Sequence, residues 1–178
     1  MRKISLITAL LFTAASTNIM AADGKITFTG EVVKQSCTVD SGDKDKKVSL
    51  PKVSSTSLKA LGDITGTTPF TIELSNCDAS ETITDVGLSF VGPNIDLATK
   101  TLNTAGIGGT TAENVNIALY NQDDSFIQLG LEHESQNVSY TKITSDKAQL
   151  NYFAKYYALD ESKPGLVETN VDFEVIYK

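Results

Sequence analysis

Alternation with a period of two runs through this chain from near its start to its last residues. No other feature limits the available folds so strongly. In "KITFTGEVV" Ile26, Phe28, Gly30 and Val32 fall on one face, with Lys25, Thr27, Thr29 and Glu31 on the other. The pattern returns at Phe70, Ile72 and Leu74, and again at Val86, Leu88 and Phe90 before Gly92-Pro93 stops it. Ala148, Leu150, Tyr152, Ala154 and Tyr156 share a face, and so do Val167, Val171, Phe173, Val175 and Tyr177. Successive side chains of a strand point to opposite faces, so each run reads as a half-buried strand. Asn116 to Tyr120 adds a short strand, and "NQDD" (Asn121 to Asp124) a turn. Helical signals are weak, since "VSSTSLKAL" is short and crowded with serine and threonine. Many short strands between turn signals predict an all-β antiparallel sandwich or barrel rather than βαβ units.

The first residues address the chain. Arg2 and Lys3 precede an apolar run from Ile4 to about Ala15, too short to span a membrane, and Ala21-Ala22 offers a cleavage site. Residues 1–21 therefore read as a signal peptide, leaving a mature chain of 157 residues, enough for one domain. Setting aside Arg2 and Lys3 leaves 13 lysines against 22 carboxylates, a formal charge of −9. No arginine remains to grip phosphate, which argues against nucleic acid and against an anionic membrane surface. Cys37 and Cys77 stand 40 positions apart in an exported chain, as a single disulfide does. They lack the close spacing and the histidines of a zinc site.

Little in the sequence points to catalysis or a cofactor. His133, the one histidine, reads as an ordinary exposed residue between Glu132 and Glu134. Neither G-x-S-x-G nor H-E-x-x-H occurs. The carboxylate pairs Asp123-Asp124, Asp160-Glu161 and Asp172 with Glu174 read as solvated charges. "GIGGT" (Gly106 to Thr110) lacks the lysine and the following helix of a phosphate cradle, and "SGDKD" misses the calcium-loop spacing. No catalytic, cofactor-binding or metal-binding residue is assigned, and the chain reads as a binding or assembly protein, not an enzyme.

Five features in order resemble the pilins of the chaperone–usher pathway, specifically type 1-like fimbrial subunits. They are "ITFTGEVV", Ser36-Cys37, "SLPKVS" (Ser49 to Ser54), "SNC" (Ser75 to Cys77) and the "LNYFAKYYAL…PG…VDFEVIY" tail. The resemblance covers the whole mature chain. It implies an incomplete immunoglobulin-like β-sandwich, residues 35–178, completed by a donor strand from a neighbouring subunit. Residues 22–34 would be the donor extension, with Ile26, Phe28 and Val32 filling groove pockets and Gly30 allowing close backbone approach. Gly165, Val171, Phe173, Val175 and Tyr177 would form the groove edge that a periplasmic chaperone occupies first, before an outer-membrane usher and the next subunit. The implied product is a surface fimbria supporting cell adhesion, with this chain as its major subunit. A minor or adaptor subunit and a free-standing secreted immunoglobulin-like binding module are the alternatives.

Overall fold

The computed structural model describes residues 25–30, 32, 37–78, 83–105 and 109–178, and the signal segment lies outside these. Two units divide the chain, 1–33 and 34–178. The second is a β-sandwich. Its larger sheet joins β1 (Thr38–Val39), β2 (Ile64–Ser75), β8 (Ala148–Lys163), β6 (Glu113–Asn121), β5 (Thr101–Leu102) and β4 (Ile95–Asp96), in that order. The smaller joins β7 (Thr141–Lys142), β3 (Asp85–Val91) and β9 (Asp172–Tyr177). Every pair of neighbouring strands is antiparallel. The weakly helical stretch from Val53 to Leu61 makes a 3-10 turn at Ser55–Ser57, where the Ser54 hydroxyl accepts from the Thr56 amide.

The expected alternation sets the core. Ala148, Leu150, Tyr152, Ala154 and Tyr156 of β8 are all buried, facing Val86, Leu88 and Phe90 of β3 within one apolar cluster. Tyr152 is its centre, 5.6 Å from the Phe70 ring and 5.3 Å, edge-on, from the Phe90 ring. Burial holds its phenol well above the ordinary range. Its hydroxyl makes no full hydrogen bond among the described residues, and only the Leu88 backbone lies near enough to favour its ionised form. A buried unsatisfied hydroxyl costs about 1–3 kcal/mol. Tyr152→Phe should thus leave thermal stability unchanged or raise it by a few degrees in a melting experiment, although it alters a core residue.

The Cys37–Cys77 disulfide forms, both cysteines being buried. It lies one residue before Thr38 and two after Ser75, which pair with each other, and so fastens the two-residue β1 to the end of β2. On β3, Gln136 supplies what a longer β7 would. Its amide oxygen accepts from the Phe90 N–H at 2.9 Å while its nitrogen donates to the Phe90 carbonyl at 2.9 Å and to Leu131 O. The side chain thus acts as one rung of a ladder beside a strand whose partner β7 pairs only at Asp85 and Val86.

Candidate functional site: an unpaired strand edge

Among the described residues, four strands end the two sheets. Three of them, β1, β4 and β7, have two residues each, the short edges by which sandwiches avoid unwanted pairing. The fourth is β9, with six residues on the outside of the small sheet.

The register decides which groups β9 leaves open. Lys178 and Asp85 exchange both backbone hydrogen bonds, at 2.9 and 3.0 Å. Hydrogen-bonded pairs recur every second residue in an antiparallel ladder, so Ile176, Glu174 and Asp172 also turn their backbone groups toward β3. Phe173, Val175 and Tyr177 therefore aim theirs outward, away from β3. Their side chains lie opposite Phe90, Leu88 and Val86, which are almost wholly buried, yet they themselves are only half-buried. An apolar face half-covered and a row of outward N–H and C=O groups coincide on one strand.

Across from this strand runs the first stretch of the domain. Thr38, Val39 and Lys44 face Val171, Asp172 and Phe173 around an open recess of about 300 Å³. Leu50 and Val53 join Val39 among the half-buried apolar residues around the core. The Tyr177 hydroxyl accepts from the Cys37 N–H at 3.1 Å, linking the far end of β9 to the disulfide.

The loop carrying Lys44 is held by a carboxylate that the sequence did not single out. Asp43 accepts from the Glu73 N–H at 2.7 Å and from Lys46 Nζ at 2.6 Å, and only 7% of the residue is exposed. The Lys46 ammonium first, then the Glu73 N–H, hold its carboxyl below the usual 3.8, against the opposing effect of burial. A depressed value means stability present above the unfolded value and lost as pH falls through the folded one. Asp43→Ala should cost about 1–3 kcal/mol at neutral pH. In denaturant titrations the gap to the unsubstituted chain should close below about pH 3.8.

Val171 precedes β9 and lines the recess, while Phe173, Val175 and Tyr177 lie on it. Gly165 sits elsewhere. It packs on the Thr111–Ala112 backbone, where a Cβ would overlap main-chain atoms, and next to it Leu166 bonds Thr110 and Ala112. The regular strand starts only at Asp172, because Leu166 and Glu168 bridge to Thr111 and Ala105 instead. In the extension, Ile26, Phe28 and Val32 are 80%, 89% and 100% exposed, and residues 25–30 and 32 lie in no strand. A Cβ on Gly30 would meet nothing within 4 Å. Glu31 and residues 33–36 are outside the described residues, as is part of the GIGGT loop.

Of the groups weighed for chemistry, His133 lines an open recess beside Glu132 and Gln136. His133 Nδ1 lies 2.6 Å from Ser89 Oγ and its Nε2 is 3.8 Å from Glu174. Ser89 is sealed from solvent, so this trio presents no nucleophile to a substrate. Among the described residues no three His, Cys, Asp or Glu side chains are placed to hold a metal ion.

Comparison with known proteins agrees with this architecture. A family model described as "Fimbrial protein" matches residues 26–178. The F17 fimbrial protein of Escherichia coli is 36% identical over 180 residues, covering 100% of both chains. The major fimbrial subunit SMF-1 of Stenotrophomonas maltophilia is 34% identical, covering 94% of this chain and 99% of its own. Among solved structures, the P pilus rod subunit PapA superposes with a TM-score of 0.62 at 19% identity, over 80% of this chain and 99% of that one. That likeness is one of fold, the immunoglobulin-like sandwich of pilins. The chain belongs to the fimbrial protein family, as a structural subunit of a surface fimbria.

Proposed function

We propose that this subunit polymerises by donor-strand exchange and forms the fimbrial shaft as its major subunit. The unpaired six-residue edge of β9, with its half-buried Phe173, Val175 and Tyr177, carries this reading. An extended segment added there satisfies the outward backbone groups and buries alternate side chains at once. Residues 22–34 of a neighbour match that requirement. Ile26, Phe28 and Val32 each contribute roughly 1.5–3 kcal/mol on full burial. Gly30 admits the close approach of two backbones. A periplasmic chaperone would protect the same edge before an outer-membrane usher passes the subunit on, since an exposed apolar edge invites aggregation. The name of the Stenotrophomonas relative supports the major-subunit role, and adhesion of cells would follow from the fibre's display at the surface. Since the donating and accepting surfaces differ, the contact repeats without closing and builds a filament.

The test is a denaturing gel of fimbriae sheared from cells, run with and without boiling. Polymer that collapses to one band only on heating, and disappears when residues 22–35 are deleted, is expected. Polymer formed equally well by the deleted chain would overturn the proposal.

A further inference from the structure

The end of β9 at which the strand begins borders a second recess. Val91 lies opposite Asp172, and a Cβ on Gly92 would sit 3.6 Å from the Asp172 nitrogen. The Asn94 side chain donates to the Asn170 side chain at 3.0 Å. Val91 and Gly92 also line a space of about 430 Å³ whose apolar side is Ile95, Leu97 and Leu131 and whose polar side is Glu132 and His133. Leu97 is 64% exposed beside it. Gly130, at φ +80°, lets the 130–132 loop press against Leu97 and Ile95, where a Cβ would come within 2.5 Å and 3.1 Å of their methyl groups.

The opposite end of β9 holds the root of the subunit's own extension, since the Cys37 N–H is bonded to Tyr177. The two ends therefore have different duties. An incoming extension laid antiparallel on β9, the more stable pairing and the one both sheets use throughout, brings its Ile26 toward Tyr177 and its Val32 toward Asp172. A parallel extension would drive the neighbour's body onto the end where this subunit's own extension departs. From the neighbour's Val32 to its Cys37 is five residues, a reach of at most about 17 Å. So short a tether brings the neighbour's domain against the Asp172 end, near which the recess and Leu97 stand.

We infer that this recess is the seat for the body of a second copy, the copy whose extension occupies β9. The inference rests on the donor-strand proposal and adds a second contact to it, one between domains. That contact sets how stiffly successive subunits are joined, whereas the strand sets whether they are joined.

The experiment places the photo-crosslinker p-benzoyl-L-phenylalanine at position 97 of the full chain and irradiates assembled fimbriae. The expected result is a covalent bond to a second copy, mapped by mass spectrometry to peptides near its Cys37 root. Leu97→Glu should keep the heat-labile polymer on gels while filament persistence length in electron micrographs falls severalfold. Polymer present, with no cross-link between copies and unchanged stiffness, overturns the seat and leaves strand donation standing. Absence of a heat-labile polymer from the unsubstituted chain overturns strand donation, and the seat with it.

Discussion

Phe28→Asp should abolish the heat-labile polymer while leaving the melting of the domain unchanged. Phe28 is 89% exposed in the single chain and supports nothing there, so its replacement costs the domain nothing. In a neighbour's groove the same residue would lose up to about 3 kcal/mol of burial, roughly a hundredfold in the joint's equilibrium constant. An unpaired carboxylate placed among apolar side chains adds a further penalty. The measurement pairs a gel of sheared fimbriae with thermal unfolding of the isolated subunit. Phe28→Leu, apolar and close in size, should restore polymer. Assembly by Phe28→Asp at the unsubstituted level would mean that the extension does not enter an apolar groove.

The second large effect is expected on folding. Replacing Cys37 and Cys77 together by alanine removes a cross-link between residues 40 apart. The chain-entropy model gives about 4 kcal/mol for a loop of that length, against a total stability of roughly 5–15 kcal/mol for an ordinary domain. For a domain of this size that amounts to a melting midpoint lower by about 10 °C, with a severalfold loss of exported subunit. The bond also holds β1 and the Cys37 amide that meets Tyr177, so both walls of the recess should loosen. Hydrogen exchange of the Cys37 to Val39 amides would register this, and an unchanged midpoint would show that β1 needs no fastening.

Strands that bury one face were legible in the sequence because burial itself writes the period of two. The buried face of β8 and that of β3 could be read directly, and so could the inward positions of β9. Pairing order was not legible, since nothing local in Phe70 to Leu74 says that its neighbour is Ala148 to Tyr152. The two-residue strands β4, β5 and β7 are too short to carry a pattern. Side chains that substitute for backbone were equally hidden, as Gln136 shows. Lys155 is a further case. Alternation points it outward, yet only 4% of it is exposed. Its ammonium rests 4.1 Å from the centre of the Tyr120 ring and pairs with Asp124, while Phe126 leans on Tyr120 and roofs that face of the larger sheet. At the site, sequence pattern placed Phe173, Val175 and Tyr177 on one strand but did not set apart Gly165, whose neighbours Thr111 and Ala112 come from a distant part of the chain. It also could not tell a strand serving its own domain from one offered to another, because both show the same alternation.

The rung supplied by Gln136 has a consequence for growth. If subunits join by strand donation as proposed, then with Phe90 of β3 covered by Gln136 and the other described sheet ends cut to two residues, a subunit has a valence of one acceptor and one donor. Linear growth without branching follows from that count alone. Fibre length then depends on how many subunits arrive and how often a new end is started. A variant that unseals β3, such as Gln136→Ala, would introduce a second acceptor and, with it, forks.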